Sequence, residues 1–189
     1  MNDALKELHI PALLEMHDVP YSGAGPAALG LCYDKSLVSA IAQSLGIPVP
    51  FETYYDAADA VATLPSVFPA LVKPVLGDSS IGITKDAVVH NAEQLTERVA
   101  VLRKTMPDAS LLVQEFLNGT EYTVGIIGNP GISHDVLPIL EVDYSALDAN
   151  LPPILSYESK WELDSPYCTQ IRYVETKAPR EVRNRLVDY

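Results

Sequence analysis

The sequence has few cysteines, few basic residues and no long apolar run. Two cysteines, Cys32 and Cys168, cannot form the disulfide framework of a small secreted domain, so we expect a reducing, cytoplasmic setting. With 13 basic against 25 acidic residues, the net charge of −12 disfavours nucleic acid and anionic membrane surfaces as partners. No apolar run approaches the roughly 20 residues of a spanning helix. The amino-terminal residues are not the basic start of a signal peptide.

The composition is that of an ordinary globular domain. Apolar residues make up 48% and charged residues 20% of the 189 residues, which excludes a disordered tail. A chain of this length can bury a hydrophobic core without disulfide or metal support. The 15 prolines are more than average usage gives, so we expect many loops.

Apolar periodicity predicts helices and strands in alternation. Asp34 is placed to cap a helix, and Asn91 with Gln94 is a capping-box pair that predicts another. Residues 69–73 are a short apolar run of the kind found in buried strands. Further strands are predicted at residues 121–128 and 136–143. The pattern therefore predicts a mixed α/β domain.

The final predicted helix begins near Pro179 and is still amphipathic where the sequence stops at Tyr189. A helix cut after about three turns is typical of a fragment. Val182 and Leu186 would then lack their packing partners. Because such an apolar face can self-associate, a homodimer is among the expected assemblies.

Several local patterns do not meet the requirements of the motifs they suggest. The dinucleotide-like Gly23-x-Gly25-x-x-Ala28 lacks a preceding strand and contains Pro26. Residues 77–82 have the glycine spacing of a phosphate loop, but Ile83-Thr84 follows where Lys-Ser or Lys-Thr is required. Glu141 and Asp143 share a strand face, which favours a solvated surface over acid–base catalysis. The histidines lack metal-ligand spacing, so no metal ligands are predicted within the chain.

Three lysines and one carboxylate lie at predicted element ends. Lys35 begins a helix, Lys73 ends a buried strand, and Lys160 lies in a polar loop. Such lysines are usually surface residues, but near a small-residue loop they could gather a polyphosphate. Residues 114–117 could present backbone groups to a planar base, and Glu121 could accept hydrogen bonds from two ribose hydroxyls. The residue types alone leave both interpretations open.

Five motifs in chain order resemble a known family. They are Asp34-Lys35, Leu71-Val72-Lys73-Pro74 with Ser79-Ser80-x-Gly82, Val113-Gln114-Glu115-Phe116-Leu117, Glu121-Tyr122-Thr123-Val124, and Tyr157-Glu158-Ser159-Lys160-Trp161. In order and approximate spacing they resemble the ATP-grasp domain of D-alanine–D-alanine ligases over nearly the whole chain. The resemblance implies an α+β (mixed α/β) fold, with antiparallel-rich sheets, flanking helices and a nucleotide between two subdomains. It also implies that residues 1–30 end a preceding domain and linker, and that residues 31–189 form an ATP-grasp domain truncated at its carboxyl end.

The resemblance also assigns residue roles. Lys35, Lys73 and Lys160 would hold ATP phosphates, and Ser80 would belong to the loop that covers them. Gln114 would face the adenine amino group, in a position that the family commonly fills with Glu. Glu115, Phe116 and Leu117 would contact the base, and Glu121 would bind the ribose. At the catalytic centre, together with Lys160, Ser79 and Trp161 would contact the amino-acid substrate.

The implied activity is ATP-dependent ligation of a carboxylate to an amine. ATP would phosphorylate the carboxylate of one amino acid, and the amine of a second would displace phosphate to give a dipeptide for cell-wall precursor synthesis. The implied cofactors are ATP and Mg²⁺, with the magnesium ligands expected beyond Tyr189, so the chain alone is expected to be inactive. Two alternatives stay open: an ATP-grasp ligase for another amino acid or carboxylate, and a non-catalytic, degenerate ATP-grasp module.

Overall fold

The computed structural model describes residues 6–59, 67–129 and 131–188. The chain divides into two compact units, Met1–Phe116 (unit one) and Leu117–Tyr189 (unit two). The predicted boundary at residue 30 is a different division, and it stays a prediction. No helix in the described parts of the chain has the length and apolarity needed to cross a membrane.

Unit one combines helices with an antiparallel sheet. Its helices are α1 His9–Met16, α2 Pro26–Tyr33, α3 Lys35–Ser44 and α4 Ala92–Thr105, with a short 3₁₀ helix at Lys85–Ala87. Its strands are β1 Glu52–Tyr55, β2 Ala70–Pro74, β3 Val88–Val89 and β4 Leu111–Glu115. The strands lie in the order β1-β4-β2-β3, and every neighbouring pair is antiparallel.

Two side-chain caps fix the start of α3 and α4. Asp34 Oδ1 accepts hydrogen bonds from the backbone N–H groups of Ser36 and Leu37, at 3.0 and 3.1 Å. Asn91 Oδ1 accepts from the N–H of Gln94 at 3.0 Å, and the Gln94 side chain accepts from His90 N–H at 2.8 Å. Both predicted helix starts are therefore confirmed. Each cap satisfies backbone donors that have no partner within the helix, an effect of about 1 kcal/mol.

The core of unit one lies where the sheet packs against α4. Val72 and Val113 from the central strands are buried together with Leu95 and Leu102 from the helix. Full burial of each such side chain stabilises the fold by about 1.5–3 kcal/mol. The core fixes the backbone of β2 and β4, and it thereby fixes where their polar side chains project.

Unit two has its own sheet and short helices. Its strands are β5 Tyr122–Thr123, β6 Ile126–Asn129, β7 Ser133–Val136, β8 Leu140–Asp143 and β9 Arg172–Glu175, and its helices are α5 Tyr157–Trp161, α6 Pro166–Gln170 and α7 Arg180–Asp188. Strands β5, β8 and β9 form one antiparallel sheet, and β6 and β7 form a hairpin. The predicted mixture of helices and antiparallel strands is thus confirmed.

Two predicted strands of unit two are each interrupted. The strand predicted at 121–128 is divided into β5 and β6, and the one predicted at 136–143 is divided into β7 and β8. Pro138 lies in the second interruption, where its missing N–H removes a sheet donor. The two interruptions lie next to each other, because Leu137 N–H donates a 2.8 Å hydrogen bond to the Gly125 carbonyl oxygen. One continuous strand was therefore the wrong prediction in both places.

Candidate functional site

Gln114 and Lys73 lie on the same face of the sheet in unit one. Leu71 of β2 is paired with Gln114 of β4, so Lys73, two residues further along β2, is the diagonal neighbour of Gln114. The Lys73 Nζ donates a hydrogen bond to Gln114 Oε1 at 2.8 Å. Two residues to which the family resemblance assigns nucleotide contacts are therefore hydrogen-bonded to each other.

Glu52 extends this contact across the sheet. In β1 it is paired with Gln114, and its Oε2 accepts a hydrogen bond from Gln114 Nε2 at 2.9 Å. The same oxygen accepts from the hydroxyl of Ser39, on α3, at 3.0 Å. Neither Glu52 nor Ser39 was among the predicted site residues, because strand register brings Glu52 to Gln114 and the packing of α3 brings Ser39 to Glu52.

The ammonium of Lys73 is largely withdrawn from water. Burial lowers the pKa of Lys73 below its usual value, and the nearby Glu52 carboxylate acts in the opposite direction. A partly buried cation is stabilised by an anion close to it. Lys73 is therefore placed to hold a negatively charged ligand.

Lys35 lies beside the turn that follows β2. Its Nζ donates to the carbonyl oxygen of Gly77 at 2.6 Å, with the Val75 carbonyl oxygen at 3.4 Å. Burial lowers the pKa of Lys35 to about 8, and the positive charge of Lys73 acts in the same direction, against Asp78 and Asp34. Two partly buried lysines whose charges act on the same region favour the approach of an anion.

Residues 77–82 form a tight loop rich in left-handed backbone. Ser79 and Ser80 have φ values of 52° and 59°, an uncommon conformation for residues with a Cβ. Gly82 has φ +77°, and a Cβ there would lie 2.7 Å from Pro74 Cγ. The buried Arg98 of α4 donates to the Gly82 carbonyl oxygen at 2.7 Å. The loop is therefore held in one shape by Gly82 and Arg98.

The end of β4 places the residues predicted to meet a base. The N–H of Glu115 donates to the Phe51 carbonyl oxygen at 2.7 Å, and the N–H of Phe116 donates to the Pro69 carbonyl oxygen at 3.0 Å. Both donors are thus used within unit one, so a base contact from Glu115 would fall to its carbonyl oxygen. Leu117, the first residue of unit two, is exposed.

Glu121 of unit two is held by a tyrosine. The hydroxyl of Tyr144 donates to Glu121 Oε2 at 2.5 Å. Burial raises the pKa of Tyr144 strongly, and the hydrogen bond to Glu121 adds to the effect, so the phenol keeps its proton. Burial and the charge of Glu121 also raise the pKa of Tyr173. The carboxylate is therefore oriented by Tyr144, a residue that the sequence did not indicate.

Lys160 and Trp161 lie in helix α5 rather than in the predicted loop. The hydroxyl of Ser159 donates to the Ser156 carbonyl oxygen at 2.6 Å across the first turn. The Tyr157 and Trp161 rings are four positions apart with centroids at 6.4 Å, which is the spacing that a helix gives. The Trp161 side chain is 57% exposed, and Lys160 is exposed as well.

The structure brings together the predicted residues of unit one more closely than those of unit two. Lys73 contacts Gln114, and Lys35 binds the loop that contains Ser79 and Ser80. In unit two, Glu121 is bonded to Tyr144, while Lys160 and Trp161 share α5. Within residues 6–59, 67–129 and 131–188, no group of three His, Cys, Asp or Glu side chains could hold a metal ion.

Comparison with known proteins gives one family and consistent relatives. Residues 42–189 match the family described as D-ala D-ala ligase C-terminus. A D-alanine–D-alanine ligase of Aquifex aeolicus is 36% identical over 135 residues, which is 70% of this chain and 43% of that protein. The chain therefore spans less than half the length of this curated relative.

Solved structures share the fold. A D-alanine–D-alanine ligase from Bacillus anthracis, complexed with ATP, has a TM-score of 0.66 at 19% identity, covering 95% of this chain and 51% of that one. An L-amino acid ligase from Bacillus licheniformis has a TM-score of 0.64 at 17% identity, covering 96% and 37%. At these identities the likeness concerns the fold, which is common to structures with different named substrates.

Proposed function

We propose that this chain, which belongs to the D-ala D-ala ligase C-terminus family, is the ATP-binding part of a carboxylate–amine ligase. It has the mixed α/β ATP-grasp fold expected from its motifs. The main support for the proposal is the contact between Lys73 and Gln114. The Lys73–Gln114 pair places a partly buried cation beside an amide oxygen that can still accept a hydrogen bond. A cation for phosphate and an acceptor for an amino group are what adenine nucleotide recognition requires.

The proposed phosphate contacts come from lysines and from the loop at 77–82. Burial and the positive charge of Lys73 lower the pKa of Lys35, and a bound polyphosphate would favour its protonated form. Ser80, with its left-handed backbone, would cover the phosphates. Phosphoryl transfer depends mainly on alignment and charge neutralisation, which pre-positioned cations supply.

We propose that residues 114–117 contact the base and that Glu121 contacts the ribose. Gln114 would accept from the adenine amino group, while Glu115 and Leu117 would offer backbone groups and Phe116 would pack on the ring. In unit two, Glu121, oriented by Tyr144, would accept hydrogen bonds from the ribose. A fixed carboxylate can accept from two hydroxyls without reorganising.

In the whole ligase, ATP would phosphorylate the carboxylate of one amino acid. The amine of the second would then attack the acyl carbon, and phosphate would leave. Ser79 and Trp161 are proposed to contact the amino acids, and Lys160 the transferred phosphate. The acyl phosphate is labile in water, so the surrounding loops would exclude solvent. Magnesium, with ligands expected beyond Tyr189, stays a prediction, and none of the described residues is assigned to it.

The substrate is proposed to be D-alanine, and the product a dipeptide for cell-wall precursors in the cytoplasm. The test is phosphate release by the full-length protein against a panel of D- and L-amino acids. Release that depends on D-alanine would support this substrate. Because the fold is shared with an L-amino acid ligase, release with another amino acid would instead support the second candidate, a related ligase.

A folded full-length protein that binds ADP and releases no phosphate with any pair would contradict ligase activity. It would favour the degenerate, non-catalytic module. The homodimer expected from the sequence also stays a prediction, which sedimentation of the full-length protein would test.

A further inference from the structure

A row of hydrogen bonds crosses unit one from α3 to β2. Ser39 donates to Glu52 at 3.0 Å, Gln114 Nε2 donates to Glu52 at 2.9 Å, and Lys73 donates to Gln114 Oε1 at 2.8 Å. Ser39 is buried, and the other three are partly buried, so water competes poorly for these groups. The four side chains form one connected polar network.

The chemistry of the end groups orients the amide in the middle. An ionised Glu52 accepts hydrogen bonds only, so it must face the NH₂ group of Gln114. The Lys73 ammonium donates only, so it must face the amide oxygen. Rotating the amide by 180° would place donor against donor at Lys73 and acceptor against acceptor at Glu52. The network therefore selects one of the two amide orientations.

We propose that Glu52 is a positioning residue that holds the Gln114 oxygen toward the nucleotide base and so sets a preference for 6-amino over 6-oxo purines. The inference rests on the proposed function, in which Gln114 meets the base. A carbonyl oxygen has two lone pairs, and Lys73 uses one of them. The second can accept from the amino group of adenine, whereas the 6-oxygen of hypoxanthine would meet another acceptor.

The strand register supports a built arrangement rather than a chance surface contact. Glu52 is directly paired with Gln114, and the pairing continues along the strands with Thr53 opposite Val113. Directly opposite residues on neighbouring strands share a face and lie within side-chain reach. The position of Glu52 is therefore fixed by the sheet, and Ser39 holds its carboxylate from α3.

The test is a comparison of ADP and IDP binding by calorimetry in the chain and in its Glu52→Gln variant. The substitution keeps the size of the side chain but lets position 52 donate as well as accept. We expect the unmodified chain to prefer ADP, and the preference to fall roughly 2- to 10-fold in the variant, the range of one neutral hydrogen bond. Glu97→Gln, on an exposed position of α4, is the charge-matched control and should leave the preference unchanged.

The reciprocal double variant Glu52→Gln/Gln114→Glu sharpens the test. It moves the carboxylate to position 114, where it accepts hydrogen bonds in either orientation, and leaves an amide at position 52 to donate to it. We expect the double variant to restore the preference for ADP. Gln114→Glu alone would place two carboxylates against each other and should weaken both nucleotides.

The outcomes separate this role from a structural one and from the proposed function. Equal weakening of ADP and IDP by Glu52→Gln, or an unchanged ratio, would overturn the inference. Failure of the folded, unmodified chain to bind ADP would overturn the proposed function and the role of Glu52 with it. In the nucleotide-free chain, the side-chain ¹⁵N–¹H signals of Gln114 should shift in the Glu52→Gln variant, and unchanged signals would contradict the orientation that Glu52 is said to impose.

Discussion

The Nζ of Lys35 lies 2.6 Å from the carbonyl oxygen of Gly77, so the first residue of α3 is tied to the loop that follows β2. The backbone reinforces the contact, since Lys35 N–H donates to the Val75 carbonyl at 3.1 Å. One lysine therefore both shapes the loop and contributes charge to the proposed phosphate site.

Nucleotide affinity should depend on pH through Lys35. Burial and the charge of Lys73 lower the pKa of Lys35 to about 8, so its proton is lost as pH rises through that value. Only the protonated form attracts phosphate, and bound phosphate would raise the pKa again. We expect ADP affinity to fall between pH 7 and 9, as measured by calorimetry. Lys35→Arg keeps its charge throughout this range. Its ADP affinity should change less, and an equal fall in both proteins would contradict the assignment.

The hydrogen bond from Tyr144 should strengthen ribose recognition by Glu121. Tyr144→Phe removes only the hydroxyl that donates to Glu121 Oε2. Because the ribose contact itself is kept and only the bond that orients Glu121 is lost, we expect ADP binding to weaken by roughly 2- to 10-fold, the range of one ordinary hydrogen bond. Tyr144→Phe should weaken the binding of 2′-deoxy-ADP less, because that ligand lacks the 2′-hydroxyl and donates one hydrogen bond fewer to the Glu121 carboxylate.

A matched control for Tyr144 exists elsewhere in the chain. The hydroxyl of Tyr21 likewise donates to a glutamate, Glu15, at 2.7 Å. Tyr21→Phe should leave the ratio of ADP to 2′-deoxy-ADP affinity unchanged. If Tyr144→Phe also left this ratio unchanged, Tyr144 would not orient Glu121 toward the ribose.

Gly82 should be required for the shape of the loop. An alanine there would need φ +77° and would bring its Cβ to 2.7 Å from Pro74 Cγ. We expect Gly82→Ala to lower the free energy of unfolding by about 1–3 kcal/mol. Gly119→Ala is the control, since a Cβ at Gly119 meets nothing within 4 Å. Urea unfolding measures both, and equal stability of the two variants would contradict the constraint at Gly82.

The parts of the fold that local sequence determines could be predicted. The caps at Asp34 and Asn91 act on backbone groups two or three residues away, so the start of each helix can be read from the chain itself. The position of Lys73 near the end of a buried strand could likewise be predicted, because it follows from the apolar run that precedes it. The nucleotide roles of Lys73 and Gln114 come from the family resemblance and stay predictions, whereas the contact between the two side chains is observed.

The parts that depend on strand pairing could not be predicted. Glu52 meets Gln114 only because β1 pairs with β4 in one register, and the two residues are 62 positions apart. Tyr144 reaches Glu121 across the unit-two sheet, 23 positions away. Such contacts leave no local periodicity, and a one-residue slip in register would remove them.

A calorimetric titration of this chain with ADP tests the nucleotide site directly, alongside Lys73→Ala, Glu121→Ala and the exposed control Lys104→Ala. We expect saturable binding at one site. Lys73→Ala and Glu121→Ala should each weaken it about 10-fold or more, because each removes a charged contact with the nucleotide, and Lys104→Ala should leave it unchanged. Absence of binding by a folded chain, or binding that neither Lys73→Ala nor Glu121→Ala weakens, would contradict the nucleotide site.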